Sequence, residues 1–254
     1  MLVAERKDLL MSRLAADGKV VAKDIAGELS VSEDTIRRDL RELAEAGRCQ
    51  RVYGGALPVS PAITDYATRQ AVAPQSKQRV AQRAQSLITP GMTVLLDGGT
   101  TTLAVINALP ADLACTVITH SPTIACALLD RPAIEVFLLG GRLFRHSAVT
   151  CGAATVEAAQ AVSADLFLLG VTGVHPDEGL TTGDAEEAAM KRALAARAAD
   201  TYVLASAEKI GTASRYRVLG VHEVAGIVTD VPADHPVIGR LRADGVTVLS
   251  ADQA

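Results

Sequence analysis

The chain has 254 residues, of which 49% are hydrophobic and 21% charged, and its mean hydropathy is +0.23. This composition excludes a disordered chain and allows one large domain or two ordinary ones. No apolar run approaches the ~20 residues of a membrane span. The opening MLVAERKDLLMSR lacks the apolar core of a signal peptide, so a cytoplasmic protein with no membrane partner is expected. Cys49, Cys115, Cys126 and Cys151 show no C-x-x-C spacing and read as reduced, buried small side chains, with no metal site. Aromatics make up 3% and Trp is absent, which excludes a base-stacking surface for single strands. The net charge of −4 does not announce a nucleic-acid binder. Residues 1–57 balance ten basic against ten acidic groups, and only residues 36–53 are locally basic, at +2.

Taken in chain order, residues 1–57 predict three helices and a hairpin. Leu9, Leu10 and Leu14 form an apolar stripe that ends at Gly18. A short helix spans Ala22 to Leu29. After the Ser30-Val31 joint, Ser32 stands at an N-cap position, with Glu33 and Asp34 in the first turn. Ile36, Leu40 and Leu43 continue at helical spacing to a Gly47 stop. The alternating segment R-C-Q-R-V-Y-G-G-A-L then suits a strand and a hairpin tip. Residues 58–75 hold three prolines and no clear periodicity, and read as a linker with a short helix near Tyr66.

From residue 76 to 254, short apolar β-rich runs alternate with alanine-rich helical stretches. The runs are 93–96, 116–119, 134–139, 166–169, 201–205, 226–229 and 246–249; the helices include 77–88, 102–109, 153–162 and 185–199. This pattern predicts an α/β fold, a Rossmann-like, mostly parallel sheet with helices on both faces.

A short helix, a tight turn and a second capped helix is helix-turn-helix syntax. The second helix would enter the major groove of double-stranded DNA. With Ile36, Leu40 and Leu43 facing the core, Thr35, Arg37, Arg38 and Arg41 face outward, able to reach phosphates and base edges. Arg48 and Arg51 on the hairpin would contact flanking phosphates.

In the second part, V-L-L-D-G-G-T-T-T ends a strand and opens a helix. Gly98 and Gly99 allow close backbone approach. The amides of Gly99, Thr100, Thr101 and Thr102 would form a phosphate cradle at the helix start, with Asp97 beside it. Other strand ends carry Gly140-Gly141-Arg142, Gly170-Val171-Thr172-Gly173 and Lys209. Ligands in open α/β sheets sit outside the carboxyl ends of the strands, so Arg142 and Lys209 are candidate cations for a phosphate. Asp184, Glu186, Glu187 and Lys191 admit a second reading, the acid–base set of a sugar-phosphate isomerase joined to a DNA-binding domain. The alternative is a helix with an acidic first turn and a Glu187–Lys191 pair.

The run V-S-E-D-T-I-R-R-D-L-R-E-L-A-E-A-G, followed by R-V-Y-G-G-A, resembles the winged helix-turn-helix signature of DeoR-type transcriptional repressors. The segments D-G-G-T-T-T, L-L-G-G-R-L, G-V-T-G-V-H-P-D-E-G-L-T-T, E-A-A-M-K-R and A-S-A-E-K-I-G are similar to the sensor domain of the same family. The resemblance implies operator binding through Ser32, Thr35, Arg37 and Arg38. It also implies a sensor domain related to sugar-phosphate isomerases and CoA transferases, with a phosphorylated sugar or related metabolite as effector and no cofactor. Asp97 to Thr102, Gly141, Arg142, Thr172, Gly173, Glu187, Lys191 and Lys209 are the expected effector residues. Cys49 and Tyr53 depart from the family's usual Leu and His, and Ser206, Ala207 and Glu208 from its usual Asp-Ser-Ser. A carbohydrate-operon repressor acting as a homodimer or homotetramer follows as the expectation.

Overall fold

A computed structural model describes residues 1–251; residues 252–254, the end of the expected C-terminal domain, lie outside the described residues. At the N-terminus, α1 (Val3–Asp17), α2 (Ala22–Glu28) and α3 (Glu33–Glu45) pack with β1 (Val20–Val21), β2 (Gln50–Val52) and β3 (Gly55–Leu57). Leu10, Leu14, Ile25, Ile36, Leu40 and Leu43 share one core. The three strands run in the order β1-β3-β2, which makes the hairpin a wing. A Cβ on Gly55 would fall 1.8 Å from the Val20 carbonyl oxygen, so the second glycine of the tip serves strand contact. Arg6 and Asp39 are both buried and joined by two hydrogen bonds, tying α1 to α3.

Residues 58–75, expected as a linker, carry structure of their own and lie against the C-terminal half. Val59 bridges to Ala213. A 3₁₀ turn covers Pro61–Ile63, and α4 covers Tyr66–Ala71. The Tyr66 amide donates to the His146 carbonyl at 2.8 Å. The short helix near Tyr66 is where the sequence placed it.

The C-terminal half continues with α5 (Pro74–Gln85), β4 (Thr93–Leu96), α6 (Thr100–Ala108), β5 (Cys115–Thr119), α7 (Pro122–Ala127), β6 (Ile134–Leu138), β7 (Arg142–Phe144), β8 (Val149–Cys151), α8 (Ala153–Gln160) and β9 (Ala164–Gly170). It closes with β10 (Gly173–His175), β11 (Gly179–Thr182), α9 (Ala185–Ala195), β12 (Ala198–Leu204), β13 (Tyr216–Leu219), β14 (Gly226–Thr229), α10 (Pro236–Ala243) and β15 (Val248–Ser250). Seven parallel strands form the main sheet, ordered β15-β14-β12-β9-β4-β5-β6. Alternate residues feed two cores. Val94, Leu96, Leu166 and Leu168 pack under α5, α6 and α7. Leu95, Phe167 and Leu169 pack under α8, α9 and α10. From β4 the chain winds outward to β5 and β6 in one direction and from β9 to β15 in the other. The boundary between β4 and β9 is therefore the switch point where the connections diverge and a crevice opens.

The α/β fold with helices on both faces is as the sequence predicted, with two differences. The helix expected over 185–199 stops at Ala195, because Ala198 begins β12 and pairs with Ala164 of β9; the sheet ladder overrides alanine's helix propensity. The antiparallel sheet β10-β11-β13 and the hairpin β7-β8 were not anticipated. The cysteines divide: Cys49, Cys115 and Cys151 are buried, but Cys126 is exposed, correcting the expectation that all four are interior. Phe167 is fully buried at the sheet centre. Phe167→Ala is expected to destabilise the C-terminal half by ~3–5 kcal/mol, read as a lowered urea midpoint and Tm.

Candidate functional site

The outer side of α3 is the first site. Ser32 accepts from the Thr35 amide at 3.2 Å, and the two hydroxyls lie 2.8 Å apart. The pair thus caps the helix and sits at its leading end. Arg37, Arg38 and Arg41 are exposed along α3, and Arg48 and Arg51 lie exposed on the adjoining wing. Arg37 reaches back to Glu33 at 2.7 Å. Tyr53 at the wing tip is fully exposed, as a side chain offered to a groove or backbone would be. Of the residues expected to read DNA, Ser32 and the five arginines are exposed and Thr35 is half-buried, while Ile36, Leu40 and Leu43 are buried in the core.

The second site is a recess of about 490 Å³, counting its open mouth, at the β4/β9 switch point. Gly98, Gly99, Thr100, Thr101 and Thr102 form one wall, and Thr172, Glu187, Lys191 and Lys209 others. Helix α6 begins here with Gly99 at φ +122° and no side-chain cap. Its first amides and its dipole suit an anion. Gly98 instead makes room for a neighbour, since a Cβ there would fall 2.1 Å from a Val149 methyl.

Asp97 lies behind that wall, fully buried. Its Oδ1 accepts from His120 Nε2 and from the Gly98 amide, both at 2.8 Å. Its Oδ2 accepts from the Gly170 amide at 2.9 Å and from Lys191 Nζ. Burial alone would raise its pKa; Lys191 and His120 outweigh burial and hold it well below the carboxylate range. Burial likewise pushes Lys191 down, but Asp97 and Glu187 more than restore it. The charge of Lys191 is thus committed to Asp97. Lys209 is different. It donates only to Thr101 Oγ1 and the Leu204 carbonyl, each at 3.2 Å. Burial, with Lys77, Arg69 and Lys191 nearby, lowers it to about 8 despite Glu208.

The structure corrects three expected effector residues. Arg142 is exposed and paired with Glu186 on the surface, away from the recess. Gly141 packs on Thr155, where a Cβ would fall 2.0 Å from the hydroxyl. Gly173 packs on the Thr212 carbonyl, where a Cβ would fall at 2.5 Å. All three share a strand end with the recess but turn away from it. Asp97 supports the wall from behind and does not line it. Sequence reasoning missed Arg69, Lys77, Ser147, Thr182 and Glu208, which all line the recess. The signal for Arg69 was an isolated cation beside the short helix in a proline-containing stretch.

The recess wall carries four cations, Arg69, Lys77, Lys191 and Lys209, against the carboxylates Glu187 and Glu208. Thr102 Oγ1, Ser147 Oγ, Arg69 Nε and Glu208 Oε2 are buried there without a hydrogen-bond partner. Unsatisfied polar atoms are costly inside a protein, and four of them, from different elements, line this one recess.

A winged helix-turn-helix joined to an α/β domain is the architecture of a DNA-binding transcriptional regulator. The chain belongs to the DeoR family. The DeoR-like helix-turn-helix domain matches residues 6–62, and the DeoR C terminal sensor domain matches residues 72–231. The HTH-type transcriptional regulator GlpR of Haloferax volcanii is 32% identical, covering 98% of each chain. The HTH-type transcriptional repressor GlcR of Bacillus subtilis is 32% identical over 100% of this chain and 98% of its own. The Glycerol-3-phosphate regulon repressor of Escherichia coli K12 is 29% identical over 91% of this chain and 92% of its own. Among solved structures, ribose 5-phosphate isomerase A of Methanocaldococcus jannaschii shares 18% identity over 53% of each chain, with a TM-score of 0.39. The curated relatives are transcriptional regulators rather than enzymes, and the isomerase alternative is set aside on that ground. No helix among the described residues is long and apolar enough to cross a membrane.

The state of Lys209 generates a pH prediction. An anion in the recess is attracted by protonated Lys209 and raises its pKa on binding. Affinity for a sugar phosphate should therefore hold below about pH 8 and fall above it, as Lys209 of the empty protein loses its proton. Calorimetric titrations between pH 6.5 and 9.5 check this, and Lys209→Met should lose the alkaline limb along with roughly tenfold in affinity.

Proposed function

We propose that the chain is a transcriptional repressor of a carbohydrate-utilisation operon, controlled by a phosphorylated sugar or related metabolite. Residues 1–57 bind operator DNA and residues 76–254 bind the effector. The observation that carries the reading is a set of cations, the buried Lys209 and Lys77 and the half-buried Arg69, with only neutral hydrogen-bond acceptors, beside the uncapped start of α6. A phosphomonoester brings nearly two negative charges and three acceptor oxygens. With Lys191 committed to Asp97, the remaining cations Arg69, Lys77 and Lys209 still outnumber the carboxylates Glu187 and Glu208 by one. Gly99 to Thr102 and Lys209 take the phosphate, while Glu187, Glu208, Thr172 and Thr182 face the hydroxyl-bearing part. Glu208 Oε2 has no partner and accepts from a sugar hydroxyl.

On the DNA side, α3 enters the major groove. Ser32, Thr35, Arg37, Arg38 and Arg41 make contacts along it, and Arg48 and Arg51 hold flanking phosphates. One winged domain covers a short half-site, so two or four copies act together on repeated half-sites in the cytoplasm. Full-length protein titrated onto promoter DNA from its own operon, with and without a panel of pentose and hexose phosphates, tests the whole reading. An operator affinity that none of them alters would sink the effector assignment. Replacing both Arg37 and Arg38 by Ala should weaken operator binding. It should also lower the slope of log K against log salt by ~0.9 for each phosphate no longer neutralised, measured by anisotropy at several salt concentrations.

A further inference from the structure

The recess has one wall that belongs to neither half as the sequence divides them. Ala62, Arg69 and Val72, from the segment expected to be a linker, line it. We propose that Arg69 is a direct ligand of the effector's anionic group, and that its engagement makes residues 58–75 the element coupling effector binding to DNA binding. This rests on the recess being the effector site.

Four observations carry it. First, the Arg69 guanidinium is incompletely used. Its Nε is buried without a partner, and its one hydrogen bond is a long 3.5 Å contact to the His146 carbonyl. Arg is the side chain best suited to clasp a phosphate through two parallel N–H bonds. Second, unsatisfied atoms cluster around it: Tyr66 Oη on the same helix, Ser147 Oγ and Thr102 Oγ1 are also buried and unpartnered. An oxyanion among them would supply acceptors for several at once. Third, Arg69 stands among mixed charges. Glu187, Asp97 and Asp65 attract it, while Lys77, which donates to the Arg69 carbonyl, and Lys209 both feel its positive charge, a repulsion that an anion bound between them would offset. Fourth, the segment is tethered at both ends. Leu57 ends wing strand β3, and only Pro58, Val59, Ser60 and Pro61 separate it from Ala62 in the wall. The segment is held to the C-terminal half by the Val59–Ala213 bridge, the Tyr66 amide to the His146 carbonyl, His146 Nε2 to the Ile63 carbonyl at 3.0 Å, and Lys77 Nζ to the Arg69 carbonyl. A force applied at Arg69 is therefore delivered to the wing that adjoins the reading helix. A ligand shifts such an equilibrium only through contacts that differ between the two states, and Arg69 provides one.

The test uses the full chain and an operator fragment, with Arg69→Met and Arg69→Lys beside the wild type, and pentose phosphates, hexose phosphates and inorganic phosphate as probes. Arg69→Met is expected to weaken the responding sugar phosphate about tenfold or more. At saturating sugar phosphate it should retain less than half of the wild-type change in operator Kd, while Arg69→Lys retains more. A role confined to affinity would give the full change at saturation, and that result overturns the coupling assignment; unchanged sugar-phosphate affinity overturns the ligand assignment. Without any probe, Arg69→Met removes the repelling charge as an anion would, and should shift operator Kd at least ~fivefold in the direction the effector shifts the wild type. This second readout separates the two readings. If the wild type binds none of the phosphates, the proposed function fails on its own. An effector-free operator Kd equal to wild type in a folded Arg69→Met protein then overturns the connector's role as well. Thermal melts and Arg69→Gln guard against a variant that fails to fold.

Discussion

Asp97 is the fixed point of the C-terminal half. A carboxylate taken wholly out of water costs several kcal/mol unless it is paired and fully hydrogen-bonded. Asp97 meets that condition with donors from four places: its own turn, the end of β9, the residue after β5 and Lys191 on α9. Those donors fix where β4 ends, how Gly98 and Gly99 turn, and how α9 leans on the sheet. His120 extends the lock, its Nδ1 lying 2.8 Å from the Thr150 carbonyl in β8. Because Lys191 is committed to Asp97, the recess keeps its remaining cations for something else. The chemistry of the cavity thus follows from a residue that does not touch its interior.

The same pairing of charges explains how a domain of zero net charge presents a basic face. Asp39 is taken by Arg6, Glu42 by Lys7, Glu28 by Arg13 and Glu33 by Arg37. Three of these acids lie on α3, and two of the three turn toward α1. Arg38 and Arg41 on α3, and Arg48 and Arg51 on the wing, remain outward. Net charge counts a residue once wherever it points, so it carries no information on polarity across a helix. DNA, whose field falls off within about a Debye length of 10 Å at 0.1 M salt, responds to the face it meets.

What the sequence made legible, and what it did not, divides along the range of the interactions involved. Helix α3, its Ser32 cap and the apolar runs of the sheet strands follow from patterns a few residues long, and all were readable. The glycine pairs were readable as signals, but the purpose of each glycine was not. Gly99 takes a left-handed φ at a helix start, Gly98 clears a valine methyl, Gly141 clears a threonine, and Gly55 clears a strand carbonyl. Each Gly-Gly looks alike in sequence, because the atom that forbids a Cβ comes from far along the chain. Arg142 and Arg69 show the same limit in reverse. A cation after a strand-ending glycine pair faces solvent and pairs with Glu186, whereas one in a proline-containing stretch enters the recess. The antiparallel β10-β11-β13 sheet escaped notice because its strands are three and four residues long, too short to show a period.

On the proposed function, the energy for regulation comes from the buried cations of the recess. Lys209 is held at about 8 against an ordinary 10.5, a penalty on the order of 3 kcal/mol for keeping its charge at lower pH. Lys77 and Arg69 are lowered too, both chiefly by burial. These cations gather around one recess, Arg69 from the segment that leads to the wing and Lys77 and Lys209 from the C-terminal half. An anion that enters returns part of that penalty, and the amount returned depends on how closely the elements can approach it. That dependence is what links a small ligand to a distant helix. Allosteric couplings commonly amount to ~1–3 kcal/mol, so the strain stored in one buried lysine is of the right size. A neutral sugar of the same shape would fill the recess without releasing it, so on the proposed function charge, ahead of fit, is the quantity the domain responds to.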